Sequence, residues 1–591
     1  MAGISTTTIN ELPDVILSTI LSAITDTRTR NSVSLVNQKF HSLERVTRTS
    51  LTLRGNARDL YMIPICFRSV KNLDLSKLSP WGQPILSLST PSDPHLLAHR
   101  LRQAFPLVES LTIYTRLPST LEILLPQWPG LRHLKLVRWH QRSQSALGAD
   151  FIPLFEHCES LTSLDLSNFY FWTEDLPPVL QAHPDKAANL TYLNVLSTSF
   201  TEGFKSQEIR DITAACPNLN KFLIACTFDP RYIGFVSDET LTAIATNCPK
   251  LWLLHLVDTS SLATVRGDPD NDAFTTEDAS VSREGLIQLC SELPLLEELV
   301  LDMGKNVRDS GLVLEVLKSK CANLKVLKLG QFHGVCLAIG SPLDGVALCE
   351  GLVSLSIKNC GDLSDMALIA IGRGCSRLAK FEVEGCKKVT FRGLKTMAFF
   401  VRKTLVEVKI SCCKQLGALA SCKAMEPIRD TIQILHIDCV WDGFEATEGS
   451  DSNGHTFDLN ELNDEDDDLG YRKKRKFSLV EESSSMQSNT GNGGLSSKTW
   501  KRLKYLSLWI AVGQLLTPLP MVGLEDCPQM EEIRIKMEGD SRGLNKPPER
   551  AFGLSCLARY PRLTKLQLDF SDTLGLCSNC AGWGNRFDNL G

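Results

Sequence analysis

Long apolar runs are missing from this 591-residue chain. Nothing in it approaches the roughly 20 residues that a membrane-spanning helix needs, so no membrane is expected as a partner. The opening MAGISTTTINELPD has neither the basic segment nor the apolar core of a secretory leader, and no export is expected. One-sided charge is also lacking: with 22% charged residues and a net charge of −5, no nucleic acid is expected as a partner. Catalytic signatures are absent as well. There is no GxxxxGK[ST] phosphate loop, no GxSxG elbow, no HExxH and no dinucleotide-binding glycine pattern. The 11 histidines are scattered, and His133 and His255 fall in strand-like phrases where an outward or hydrogen-bonded ring accounts for them. Neither an intrinsic enzyme activity nor any cofactor or metal is expected.

What is present is a globular composition, 43% hydrophobic, which excludes collagen-like, mucin-like and wholly disordered chains. The 20 cysteines, spread along a large chain with no leader, read as free thiols of a reducing compartment. A short phrase recurs: CPNLNKFLI at 216, CPKLWLLHL at 248, CANLKVLKL at 321, CEGLVSLSI at 349 and CSRLAKFEV at 375. WPGLRHLKL at 128, CESLTSLDL at 158, LPLLEELVL at 293 and YPRLTKLQL at 560 fit the same frame. Looser copies start at Phe67, Phe105, Ala187, Arg402, Arg429, Trp500 and Cys527. Sixteen anchors, mostly 23 to 33 residues apart, define a repeat array.

The last two apolar residues of each phrase alternate, as a half-buried strand requires. Several copies then continue into a helical pattern. Leu241, Ile244, Ala245 and Cys248 share one helical face, with Ser237 or Asp238 as the cap, and Ile209, Ile212, Thr213 and Cys216 repeat the spacing. Strand, crossover helix and parallel strand predict a right-handed coil of stacked units. Three buried aliphatics per unit contribute on the order of 1.5–3 kcal/mol each before chain entropy is subtracted, so no unit is stable alone. Cys158, Cys216, Cys248, Cys321, Cys349, Cys375 and Cys527 occupy the anchor, and Cys360, Cys386 and Cys413 follow the strand; all read as small buried filler. This pattern resembles cysteine-containing leucine-rich repeats. The fold class expected is α/β: a leucine-rich-repeat horseshoe, parallel strands inside and helices outside, behind an all-α N-terminal segment.

The interval from Cys248 to Leu293 holds TSSLATVRGDPDNDAFTTEDAS, which reads as an inserted surface loop. A larger gap separates Arg429 from Trp500. From Asp442 to Gly470 there are 11 acidic residues and no Lys or Arg, a composition of disorder. The basic run that follows, Arg472, Lys473, Lys474, Arg475 and Lys476, predicts a nuclear import signal, with a solvated charge run as the plainer alternative. Five cations beside eleven anions make a poor phosphate surface.

Residues 9–48 differ from the repeats. Leu12-Pro13-Asp14 leads into an apolar helical face of Ile16, Leu17, Ile20 and Leu21, and Val33, Val36, Phe40 and Leu43 lie at helical spacing in a second segment. About 40 residues bury only a marginal core of their own, so part of these faces should meet a partner. Leu-Pro before a hydrophobic helix, then Ser34-Leu35-Val36-x-x-x-Phe40, resembles the F-box; Asn37 and Phe40 stand where the usual phrase has Cys and Trp. The resemblance implies that Leu12, Pro13, Ile16, Leu17, Ile20, Leu35, Val36 and Phe40 hold the Skp-type adaptor of a cullin-RING ubiquitin ligase.

LRGNARDL at 53–60, LLPQWPGLRHLKLVRWHQR at 124–142, CTFDPRY at 226–232, LSIKNCGDLSDMALIAIGRGC at 355–375 and the acidic–basic linker look like the plant F-box/leucine-rich-repeat family of strigolactone and karrikin signalling. That resemblance covers about residues 9 to 576. It implies a nuclear, non-catalytic substrate receptor that meets an α/β-hydrolase hormone receptor and marks Clp-ATPase-like transcriptional repressors for degradation. The expected organisation is an F-box at 9–48, repeats at 49–440, a linker at 441–499, further repeats at 500–576 and an atypical tail at 577–591. Family members continue past SDTLGL through further repeats to a terminal helix, so a truncated C-terminus is expected here. Cys577 and Cys580 form a single CxxC and predict no zinc site. Two alternatives stay open: a repeat scaffold outside any ligase, and a form that binds adaptor but not hormone receptor.

Overall fold

A computed structural model of the chain describes residues 9–55, 60, 62–78, 93–139, 146–197, 203–263, 277–338, 343–413, 415–439, 499–511, 523–524, 527–538 and 557–570. The acidic linker, Arg472 to Lys476, and the tail with Cys577 and Cys580 lie outside these residues. Among the described residues no helix is long and apolar enough to cross a membrane.

Every anchor leads into a strand, and the strands form one parallel sheet of 17. The extra strand, Ser50–Thr52, has no anchor; it follows the N-terminal helices directly and pairs with Asn72–Asp74. Register is held from unit to unit: Leu355 lies beside Phe381, Phe381 beside Val408, Val408 beside Leu435 and Leu435 beside Leu506. Leu435 and Leu506 are neighbours although the linker separates them in sequence, so that insertion leaves the ladder unbroken. The insertion after Cys248 behaves alike, with Leu254 beside Leu299.

Helices back most strands, and their ends are joined from one unit to the next. Ser237 caps Asp238–Asn247, whose Leu241, Ile244 and Ala245 are buried. Asp238 reaches forward instead of capping: its carboxylate accepts from the Ser282 amide (2.8 Å) and hydroxyl (2.5 Å) at the start of the next helix. Asp365 does the same for the Thr390 amide at 2.9 Å. Each carboxylate needs a glycine on the receiving helix, because a Cβ at Gly285 or Gly393 would stand 2.2 or 2.3 Å from its Oδ1. The polar exception Thr213 is satisfied by donating to the Ile209 carbonyl at 3.0 Å. One unit departs from the strand-plus-helix plan. Gly345–Leu348 is a single 3₁₀ turn, which opens on the positive φ of Gly345 (53°).

The anchor cysteines do more than fill space. A helix ends with carbonyls that lack intrahelical partners. The Cys248 thiol donates to the Cys216 carbonyl (3.4 Å), and the Cys321 thiol to the Leu293 carbonyl (3.3 Å), in each case at the helix end of the preceding unit. Burial pushes the thiols of Cys248 and Cys375 up to about 12, so they stay protonated donors, Cys375 to the Val346 carbonyl; Cys158 is raised likewise.

One buried charge pins a turn of the array. Arg138 and Asp150, both almost wholly buried, form a two-pronged pair at 3.0 and 2.8 Å; Arg138 also donates to the Tyr170 carbonyl and lies 4.0 Å over the Phe169 ring. Arg138→Ala leaves an unpaired buried carboxylate and should cost about 3–5 kcal/mol. The double variant Arg138→Ala/Asp150→Ala should lose less than the sum of the two single variants, read from urea unfolding by circular dichroism.

Candidate functional site

The N-terminal segment folds as three helices, α1 (Asp14–Ala23), α2 (Thr27–Ser34) and α3 (Gln38–Thr47). Val33, Val36, Phe40 and Leu43 lie at helical spacing, but the structure divides that segment between α2 and α3. Asn37 is extended and its side chain accepts the Phe40 amide at 2.8 Å, restarting the helix as a cap. Asp26 caps α2 through Thr29, and those hydrogen bonds hold its carboxyl below its ordinary range.

Its core is separate from that of the solenoid: Leu17, Leu21 and Phe40 pack with Leu12, Ile24, Val33 and Leu43. Leu17 and Phe40, expected as docking residues, are therefore turned inward and hold α1 against α3. A second tie is polar. Glu44 is buried and receives Arg30 at 3.3 Å and Arg48 at 2.5 Å, while Arg48 also donates to Asn31 at 2.6 Å. Lys39 donates to the Leu12 carbonyl (2.9 Å) and pairs with Asp14 (3.0 Å), fixing the Leu12-Pro13 turn.

What remains outside is strongly apolar. Pro13, Ile16 and Ile20 are exposed, the two isoleucines four apart on one face of α1; Leu35 and Val36 are 84% and 66% exposed in the α2–α3 turn. Leu12 is half-buried. Val15, 76% exposed, belongs with this surface and was missed because it lies off the stripe that the helical spacing picks out. The five exposed branched residues of α1 and the α2–α3 turn make a surface that water does not favour and a partner would cover.

The solenoid presents a different surface. Several strands carry charged side chains at or just after the position between their core residues, and these pair across the sheet: Lys328 and Lys358 at 3.7 Å from Asp302, Lys409 at 2.5 Å from Glu382, Arg534 at 2.5 Å from Asp569, and Lys536 on Asp438. Burial opposes the charge on Lys409, yet Glu382 and Glu384 beside it raise its ammonium above the usual range. On the loops after the strands His133–Arg138, Ser163–Phe169 and Lys221–Cys226 stand exposed aromatics, Trp139, Trp172 and Tyr232, with Ile233 beside the last. The Tyr232 loop is rigidly tied. Asp229, kept low by Arg231 and Lys305, binds them at 2.7 and 3.2 Å. Among the described residues no three His, Cys, Asp or Glu side chains converge as metal ligands.

Comparison with known proteins decides the family. The F-box family model matches residues 10–50. The F-box protein MAX2 homolog A of Petunia hybrida is 58% identical over 584 residues, 96% of this chain and 82% of that protein. The F-box protein MAX2 of Arabidopsis thaliana is 58% identical over 578 residues, covering 97% and 82%. This chain belongs to the MAX2 family. The F-box/LRR-repeat MAX2 homolog of Oryza sativa subsp. japonica is 40% identical over 606 residues, 97% of this chain and 81% of that one. Among solved structures, the yeast Rad7 and Elc1 complex aligns over 93% of this chain and 92% of the other, at 12% identity and a TM-score of 0.37. MAX2-family motifs seen in the sequence acquire structural roles: Trp128 donates to the Phe105 carbonyl at 2.8 Å, and Asp229 and Arg231 of CTFDPRY form the tied loop.

The two separate cores give a test of how this MAX2-family chain divides its stability. Leu17→Ala should cost about 2–5 kcal/mol. It should raise amide exchange throughout α1–α3 while leaving exchange in strands such as Lys380–Glu384 unchanged, as measured by hydrogen–deuterium exchange mass spectrometry.

Proposed function

We propose that this chain is the substrate-recognition subunit of an SCF-type cullin-RING ubiquitin ligase in strigolactone and karrikin signalling. The observation that carries the reading is a matched F-box whose own core is closed while Pro13, Val15, Ile16, Ile20, Leu35 and Val36 stay outside it, ahead of a long repeat solenoid. On this reading those residues, with Leu12, meet the Skp-type adaptor, and Leu17 and Phe40 hold them in place. The solenoid binds the α/β-hydrolase hormone receptor and the Clp-ATPase-like repressor through its charged strand face and aromatic loops. It supplies no catalytic residue. Ubiquitin moves from the conjugating enzyme that the cullin arm brings, and the chain contributes proximity, which converts an intermolecular transfer into one within a complex.

The adaptor step is tested by pull-down with the full chain. Leu35→Asp/Val36→Asp places two charges on a surface that must lose its water. It should reduce adaptor binding by more than a hundredfold while circular dichroism stays unchanged. Undiminished binding by this folded variant contradicts the assignment.

We further propose that Arg472, Lys473, Lys474, Arg475 and Lys476 direct the chain to the nucleus, where its repressor substrates act. The support is the unbroken basic run inside a polar linker. Lys473→Ala/Lys474→Ala/Arg475→Ala in a fluorescent fusion should move the signal from nucleus to cytoplasm; a nuclear signal equal to that of the parent sinks the idea.

A further inference from the structure

We propose that residues 442–470 of this same chain dock on the basic, phenylalanine-bearing outer helices Asp365–Gly374 and Phe391–Phe400. From Arg373 to Lys403 the sequence has nine Lys or Arg and only two acids, Glu382 and Glu384. Both acids lie on the strand Lys380–Glu384 and are taken by Lys409, at 2.5 and 3.4 Å. The acid on the two helices themselves, Asp365, is turned to the Thr390 amide at 2.9 Å, and so the outer side keeps an excess of positive charge. Among the described residues Arg373, Arg377, Lys388, Arg392, Arg402 and Lys403 are exposed without a carboxylate partner, and Lys395 has only Glu426 at 3.9 Å.

Three phenylalanines stand among these cations. Phe391, Phe399 and Phe400 are exposed, with Phe399 and Phe400 edge to face at 6.1 Å. Each ring carries a cation over it: Lys395 at 5.3 Å from Phe391, Arg402 at 4.2 Å from Phe399 and Arg373 at 5.3 Å from Phe400. Met366, also exposed, begins the neighbouring helix. Ring faces and cations are thus already arranged together, at a site that suits a ligand with both acidic and apolar groups.

The acidic segment has that chemistry. Its 29 residues carry eleven carboxylates and no cation, with Phe444, Phe457, Leu459, Leu462 and Leu469 set among them. It also starts close by. Chain departs after the strand Ile434–Asp438, which is two neighbours along the sheet from Lys380–Glu384, a separation of about 10 Å. Fully extended, such a segment spans up to roughly 100 Å, ample to pass the edge of the array and reach the outer helices. Tethering places it at an effective concentration on the order of millimolar, so even weak complementarity is enough for occupancy. The five cations at 472–476 are too few to neutralise it.

The test uses the full chain, zero-length carbodiimide coupling and mass spectrometry. Amide links are expected between acids of 442–470 and Lys388, Lys395 or Lys403 at 0.1 M salt. They should fall roughly tenfold at 1 M salt, where screening shortens the reach of charge to about 3 Å, and by a similar factor in Arg373→Glu/Arg402→Glu, which removes two cations but keeps every coupling lysine. An equal mixture of isotope-labelled and unlabelled chains should give links within one label only. Links confined to Lys473, Lys474 and Lys476, links joining two copies, or no links to the outer lysines would each overturn the proposal. So would links that persist unchanged in both the variant and high salt.

Discussion

No unit of this array can bury its own strand face; that constraint governs everything else. Each strand lays two apolar residues against the same positions of its neighbours, so that Leu355, Phe381, Val408, Leu435 and Leu506 form one continuous internal file. Because the energy lies in stacking, the devices that join units matter as much as the units. Asp238 and Asp365 tie consecutive helix starts, and the thiols of Cys248 and Cys321 satisfy carbonyls at helix ends one unit back. Insertions are tolerated wherever they leave that file intact, as they do after Cys248 and after Cys439.

The F-box is organised on the opposite principle. It closes a small core of its own around Leu17, Leu21 and Phe40, adds the buried Arg30–Glu44–Arg48 tie, and leaves its remaining branched side chains in water. A buried charge group of this kind gains little net stability over an apolar one, but it is strongly directional. It fixes how α2 and α3 are set, and with them the turn that presents Leu35 and Val36. Core packing and the exposed apolar surface are thus divided between neighbouring residues of α1 and of the α2–α3 turn.

That division explains what was legible in the sequence. Period-two and period-3.6 patterns are statements about burial, so the repeats, their strands, the helix cap near Ser237 and the burial of the cysteines could be read directly, but not the thiol hydrogen bonds that join units. Exposed apolar residues could not be separated from core residues by the same signal, since Leu17 and Ile16 are equally apolar. Hence Leu17 and Phe40 were grouped with the adaptor-holding residues and Val15 was passed over. The break at Asn37 was hidden because Val33, Val36 and Phe40 keep helical spacing across it, while a single side-chain cap decides the local geometry. Strand-face ion pairs such as Lys409 with Glu382 were beyond reach for another reason: they join units that only the sheet register brings side by side.

On the proposed reading, with adaptor at one end and hormone receptor and repressor along the array, this MAX2-family chain is a spacer that holds a lysine near an activated ubiquitin. Reconstitution tests that most directly. Purified chain, Skp-type adaptor, cullin-RING arm, activating and conjugating enzymes, hydrolase receptor, hormone and repressor are combined, and ubiquitin on the repressor is followed by immunoblot. The account predicts hormone-dependent ubiquitin chains that vanish when this chain is left out. Repressor modification that proceeds equally without it, while it still binds the adaptor, would contradict the account.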